Sequence, residues 1–205
     1  MIIHDSKIVF IHIPKTGGTT IEHMLQANKS VGDPDPSFGA HHRLDQVFKK
    51  YGEPREDDPT FEPLDIGSYH MFTVARNPWE RYASLYIHDL GHFKANPKNN
   101  KRDYVDVDEY METRVSENFF RMIEVDGVIP DSFMIINFDD FRNEIRRVFT
   151  AMGLKPGRIW HDNKKTNPQK KAVKEVLKMQ AFRDGVAKLC AKEIELFGYE
   201  VPELE

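Results

Sequence analysis

A chain of 205 residues with 40% hydrophobic and 30% charged side chains fits one globular domain with a buried core, which excludes a disordered polymer. Its formal net charge of −4 gives no global pull toward nucleic acid or an anionic membrane, so no nucleic-acid partner is expected. The single cysteine, Cys190, excludes a disulfide framework and suits a reducing compartment; at its place in an apolar helical stripe it reads as a small buried side chain.

In chain order, the first apolar run is Ile8-Val-Phe-Ile-His-Ile-Pro14. It is too short to span a membrane, and no charged leader or cleavage site goes with it. It predicts a buried strand over residues 7–13, and the lack of any longer apolar stretch predicts a cytoplasmic protein without stable membrane insertion. A helix is expected over 19–28, then a surface loop over 32–40. Residues 41–51 read as a helix with Leu44, Val47, Phe48 and Tyr51 on one face. The acidic, Pro-rich stretch Glu53-Pro-Arg-Glu-Asp-Asp-Pro-Thr-Phe-Glu-Pro63 marks a loop over 52–67. A second strand is predicted over 69–75 and a third over 133–137.

A helix over 78–90 carries Trp79, Tyr82, Ala83, Tyr86 and Leu90 on its apolar face. Asn77, Arg81, Ser84 and His88 fall together on the other side. A basic loop over 94–103 holds Lys94, Lys98, Lys101 and Arg102. Two further stripes follow: Met111, Val115, Phe119 and Met122, then Phe141, Ile145, Val148, Phe149 and Met152. A long helical pattern runs from about Gln169 to Phe197, with Gly185 expected to bend or divide it. Strands alternating with helices predict an α/β fold around a mainly parallel sheet.

The most informative stretch is Pro14-Lys-Thr-Gly-Gly-Thr-Thr20, between the first strand and its helix. Gly17 and Gly18 allow a sharp turn that exposes consecutive N–H groups, and Lys15 adds a charge beside the positive end of the helix. Thr19 and Thr20 are candidate caps with hydroxyls for a ligand oxygen. In isolation such a tetrapeptide is an ordinary tight turn. It is not a nucleotide-binding Walker loop, whose lysine follows the last glycine, whereas Lys15 precedes both. At the end of the second strand stands Arg76-Asn-Pro-Trp-Glu-Arg-Tyr-Ala-Ser-Leu-Tyr86. Asn77 is a good N-cap, Pro78 a good first helical residue, and Arg76 sits where a helix favours anions.

Together the two segments resemble the 5′-phosphosulfate loop and the 3′-phosphate motif of sulfotransferases that use 3′-phosphoadenosine 5′-phosphosulfate (PAPS), closest to the heparan and chondroitin O-sulfotransferase group with its short bacterial members. Glu193-Ile-Glu-Leu-Phe-Gly-Tyr199 and Ile135-Ile-Asn-Phe-Asp-Asp-Phe141 are similar to further landmarks of that group. The resemblance implies a P-loop-like three-layer α/β fold with a mainly parallel central sheet flanked by helices, and one sulfotransferase domain over 1–205. It implies that Lys15 and the backbone of Thr16, Gly17, Gly18, Thr19 and Thr20 hold the 5′-phosphosulfate, that Arg76 and Ser84 hold the 3′-phosphate, and that PAP is released. Arg81 matches a motif position that orients the helix or touches the nucleotide. Trp79 and Asn163-Lys-Lys-Thr-Asn-Pro168 are candidates for the adenine pocket.

Sulfuryl transfer needs a base for the acceptor hydroxyl and a positive group for the leaving oxygen. Lys15 suits the second task. For the first, His41 is the leading candidate, since the helical wheel turns it toward the apolar stripe, and His42, which points away, is the second. The remaining histidines (4, 12, 23, 70, 88, 92 and 161) lack metal-site spacing, so no metal is expected. A small or glycan acceptor bearing a hydroxyl is expected; no motif specifies one acceptor or an oligomeric state. A small ATP-dependent kinase would need a Walker lysine, and Asp139 with Asp140 does not supply one. A non-catalytic PAP- or PAPS-binding protein would be expected to lack Lys15 or the histidine pair, and both are present.

Overall fold

The computed structural model describes residues 1–39, 41–95, 107–114, 118–155 and 167–203. In chain order the elements are β1 (Ile2–Ile3), β2 (Ile8–Phe10), α1 (Gly18–Ala27), α2 (Leu44–Val47) running into a wider π-type turn (Phe48–Gly52), a 3-10 turn (Ile66–Ser68), β3 (His70–Ala75), α3 (Pro78–Ala95), α4 (Val107–Glu112), α5 (Phe119–Ile123), β4 (Met134–Asn137), α6 (Phe141–Ala151), α7 (Asn167–Lys178), α8 (Gln180–Leu189) and α9 (Ala191–Phe197). The chain divides into two compact units: the described residues of 1–75 and 120–162, and those of 76–119 and 163–205. Among the described residues no helix is long and apolar enough to cross a membrane.

The first unit is mixed α/β. Its sheet has the order β1-β2-β3-β4, with β2, β3 and β4 parallel and β1 antiparallel at the edge. Alternation along the strands sends Ile8, Phe10, Phe72, Val74 and Ile136 to one face, where they pack with Ile21, Met24 and Leu25 of α1 and with Ile145, Val148 and Phe149 of α6. Each such side chain contributes about 1.5–3 kcal/mol on burial. Val9, Met71, Thr73 and Ala75, which point the other way, are buried too, as the strands of a parallel sheet require. The stripe expected over 141–152 is the buried face of α6. β1 was not expected, because two isoleucines carry no periodicity; they become a strand by pairing with Ile8 and Val9.

The loop over 32–39 is anchored rather than free. The Asp35 carboxylate accepts from the Ser37 N–H (2.7 Å), the Ser37 hydroxyl, the Tyr51 hydroxyl and His4. Burial pushes this carboxyl up, but the bonds from Ser37, Tyr51 and His4 outweigh it and hold it well below the usual range.

The second unit is helical, built from α3, α4, α7, α8 and α9 around Trp79, Tyr82, Tyr110, Leu177, Phe182 and Val186. The long C-terminal pattern is three helices rather than one bent at Gly185. The breaks fall at Met179 and Cys190, whose backbones leave the helical region. Arg183 donates to the Leu177 carbonyl (2.7 Å), closing the end of α7. Gly185 lies inside α8, where a Cβ would stand 3.0 Å from Met111, so its smallness serves the approach of α4. The stripe 111–122 is shared between α4 and α5, and Val115 lies outside the described residues.

Candidate active site

The glycine loop leaves the C-terminal end of β2. Pairing with β3 persists one residue past the strand: the Ile11 N–H donates to the Phe72 carbonyl (3.0 Å), and the Thr73 hydroxyl donates to the Ile11 carbonyl (2.7 Å). Thr16 is fully buried and its hydroxyl donates to the Ile13 carbonyl (2.8 Å), so it braces the loop from within. Lys15 (φ 64°) and Gly17 (φ 82°) both adopt left-handed backbone, and the chain turns directly into α1. Gly17 is the N-cap, with Gly18, Thr19 and Thr20 in the first turn; the expectation that Thr19 or Thr20 caps the helix is corrected on this point. A glycine cap offers no side chain to the first N–H groups. The loop therefore presents the positive end of a ten-residue helix beside the half-buried Lys15, an arrangement suited to an anion.

Three titratable side chains gather at the root of this loop. The His12 ring donates through Nδ1–H to Glu22 Oε1 of α1 (2.8 Å), and the side chain is only 9% exposed. Burial pushes the Glu22 carboxyl up, but the hydrogen bond and charge of His12, with the N-terminal ammonium and His41, outweigh it and bring it below its ordinary value. The His41 ring lies 4.5 Å from that of His12, and its Nδ1 bonds the His12 carbonyl at 2.8 Å. A carbonyl only accepts, so Nδ1 carries the proton and the neutral ring has its lone pair on Nε2. His42 bonds the Gly39 carbonyl through Nδ1 (2.9 Å) and packs on Phe38 at 4.2 Å. Glu22, Gln26, Phe38 and Gly39 also line a cleft of about 310 Å³.

In the second unit, Asn77 caps α3 as its sequence predicts: its Oδ1 accepts from the N–H groups of Trp79 (3.1 Å) and Glu80 (3.4 Å). Its Nδ2 donates to the Glu200 carbonyl (2.8 Å). Arg76, immediately before the cap, is held by Glu80 at 2.7 Å, and Ser84 is 6% exposed. The polar side expected for α3 is corrected: Arg81 is fully buried and pairs with Glu193 of α9 at 2.9 Å, both side chains out of solvent. The guanidinium stays protonated; burial drives the Glu193 carboxyl up, with Arg81 pulling back. Cys190 lies in the same core, and burial pushes its thiol up to about 12.

A family model described as "Sulfotransferase family" matches residues 1–200. The chain belongs to the sulfotransferase family. It matches no curated protein and no solved structure at a significant level.

Within this sulfotransferase-family chain, the first unit brings together Lys15, Thr16, Gly17, Gly18, Thr19, Thr20 and His41, while Arg76 and Ser84 belong to the second unit. His41 is not on a helix. Its φ of 67° excludes one, α2 begins only at Leu44, and the Arg43 N–H is capped by Gln46 (2.9 Å). The wheel argument that turned His41 inward and His42 outward therefore fails. His41 is the more exposed of the two, yet it is the one bonded to the loop root. Trp79 is 5% exposed in the helical core and donates to the Arg183 carbonyl (3.1 Å), which commits its indole to packing. Residues 163–166 of the other adenine candidate, and most of the basic loop 94–103, lie outside the described residues.

Sequence reasoning missed the His12–Glu22 pair, whose ten-residue spacing crosses the loop. It placed Glu193 in a family landmark but missed its pairing with Arg81, detectable from an acid on the apolar stripe of Cys190, Ile194 and Phe197. Gly18 shows how tightly the loop root is packed: an added Cβ would lie 2.1 Å from His12 Cδ2. Gly18→Ala is expected to displace the His12 ring and cost about 1–3 kcal/mol, read by denaturant unfolding. Unchanged stability would contradict this packing.

Proposed function

We propose that this sulfotransferase-family protein transfers the sulfuryl group of PAPS to a hydroxyl of a sugar or small metabolite by in-line displacement, releasing PAP. The observation that carries the reading is the glycine-capped start of α1 with Lys15 beside it and His41 bonded to its root. In this reading Lys15 and the backbone of residues 16–20 bind the 5′-phosphosulfate, and Arg76 with Ser84 binds the 3′-phosphate. The finer family placement, nearest the heparan and chondroitin O-sulfotransferase group, and a single P-loop-like three-layer domain over 1–205 working in the cytoplasm, belong to the same proposal.

The chemistry follows from the residues. His41 Nε2 takes the acceptor hydroxyl proton as the acceptor oxygen–sulfur bond forms, with His42 as the second candidate for that role. The bond from sulfur to the phosphate oxygen breaks, and Lys15 and the first-turn N–H groups meet the charge that develops on that oxygen. The 310 Å³ cleft beside Glu22 and Phe38 is the proposed approach for the acceptor. Arg76 is already oriented by Glu80 and needs little ordering to meet a phosphate.

Arg76→Ala tests the donor assignment. It should weaken PAP by roughly 10–100-fold while leaving adenosine 5′-phosphosulfate, which lacks the 3′-phosphate, nearly unaffected. Equal weakening of both, measured by calorimetry, would contradict the assigned role.

A further inference from the structure

We propose that His12 and Glu22 form a positioning pair that selects the tautomer of His41; this rests on the reading of His41 as the base. His12 is held on several sides, its ring stacked at 5.8 Å on that of Phe10. Its Nδ1–H donates to Glu22 Oε1 at 2.8 Å, its ring edge fills the space over Gly18, and its ring meets that of His41 at 4.5 Å. The same residue presents the carbonyl that accepts the His41 Nδ1–H at 2.8 Å. β2 ends at Phe10, so the His12 peptide lies beyond the strand, and the clamp on its side chain aims its carbonyl. Neutral imidazole in water prefers the proton on Nε2, which is the wrong tautomer for a base that works through Nε2. The His12 carbonyl reverses that preference. The left-handed backbone of His41, uncommon outside glycine, is what turns its ring back onto this carbonyl. Glu22 is held as the carboxylate by the bond and charge of His12, which outweigh its burial, so the clamp is charge-assisted.

The test reads the tautomer directly, by long-range ¹H–¹⁵N correlation of the full ¹⁵N-labelled chain without ligand, at an alkaline pH well above the model-peptide value for imidazole. His41→Gln assigns the signals. The wild-type protein is expected to show His41 with the proton on Nδ1. Glu22→Ala and the volume-preserving Glu22→Leu should both shift His41 toward the Nε2–H form, and Glu22→Gln, whose amide oxygen still accepts from His12, should restore Nδ1–H. An Nε2–H tautomer in the wild-type chain, or an unchanged tautomer in a folded Glu22→Ala or Glu22→Leu variant, would overturn the proposal. Because the spectrum needs no donor or acceptor, its outcome is separate from the sulfotransferase reading, which fails instead if PAP does not bind.

Discussion

Glu193→Ala is expected to destabilise the protein by about 3–5 kcal/mol. The reason is the Arg81–Glu193 pair, 2.9 Å apart with both side chains fully out of solvent. Removing the carboxylate strands a buried guanidinium that no pH in the working range neutralises. The same pair ties α9 to α3, so its loss loosens the C-terminal helix as well as the charge balance. Replacing both partners with apolar side chains of similar volume, Arg81→Met with Glu193→Leu, should recover most of the loss, because two desolvation penalties vanish together. A double-mutant cycle followed by chemical denaturation checks this. Additive losses in the double variant would mean that the two residues act independently.

His41→Ala should retain PAP binding and lose turnover by roughly 10²–10⁴-fold, the usual contribution of a positioned general base. The binding expectation follows from the geometry: His41 is bonded to the His12 carbonyl, which precedes the Pro14–Thr20 segment. Lys15→Ala should differ in kind, weakening both PAP binding and turnover. Full activity in His41→Ala would move the base to His42, whose Nδ1 is likewise engaged with a carbonyl.

The strand–loop–helix junctions were legible in the sequence because local chemistry dictates them. Gly17 takes a left-handed turn that other residues resist, Asn77 and Pro78 start a helix by capping and fixed φ, and the α6 stripe has one periodicity. What escaped was decided by tertiary partners. His41 looked helical because the stripe of Leu44, Val47, Phe48 and Tyr51 extends back to it, yet its backbone is left-handed and its ring bonds a carbonyl 29 residues away. Arg81 grouped with Asn77, Ser84 and His88 on the polar side of its helix until α9 supplied Glu193, 112 residues later. The breaks at Met179 and Cys190 carry no glycine or proline signal; they arise where α7, α8 and α9 must each pack on the helical core.

The central claim is that the glycine loop and Arg76 serve a PAPS-type donor. Calorimetric titration of the purified chain with PAP, alongside ATP–Mg²⁺ and AMP, tests it most directly. The account predicts tight binding of PAP and negligible binding of ATP–Mg²⁺ and AMP. Preference for ATP–Mg²⁺, or no binding of PAP, would contradict it.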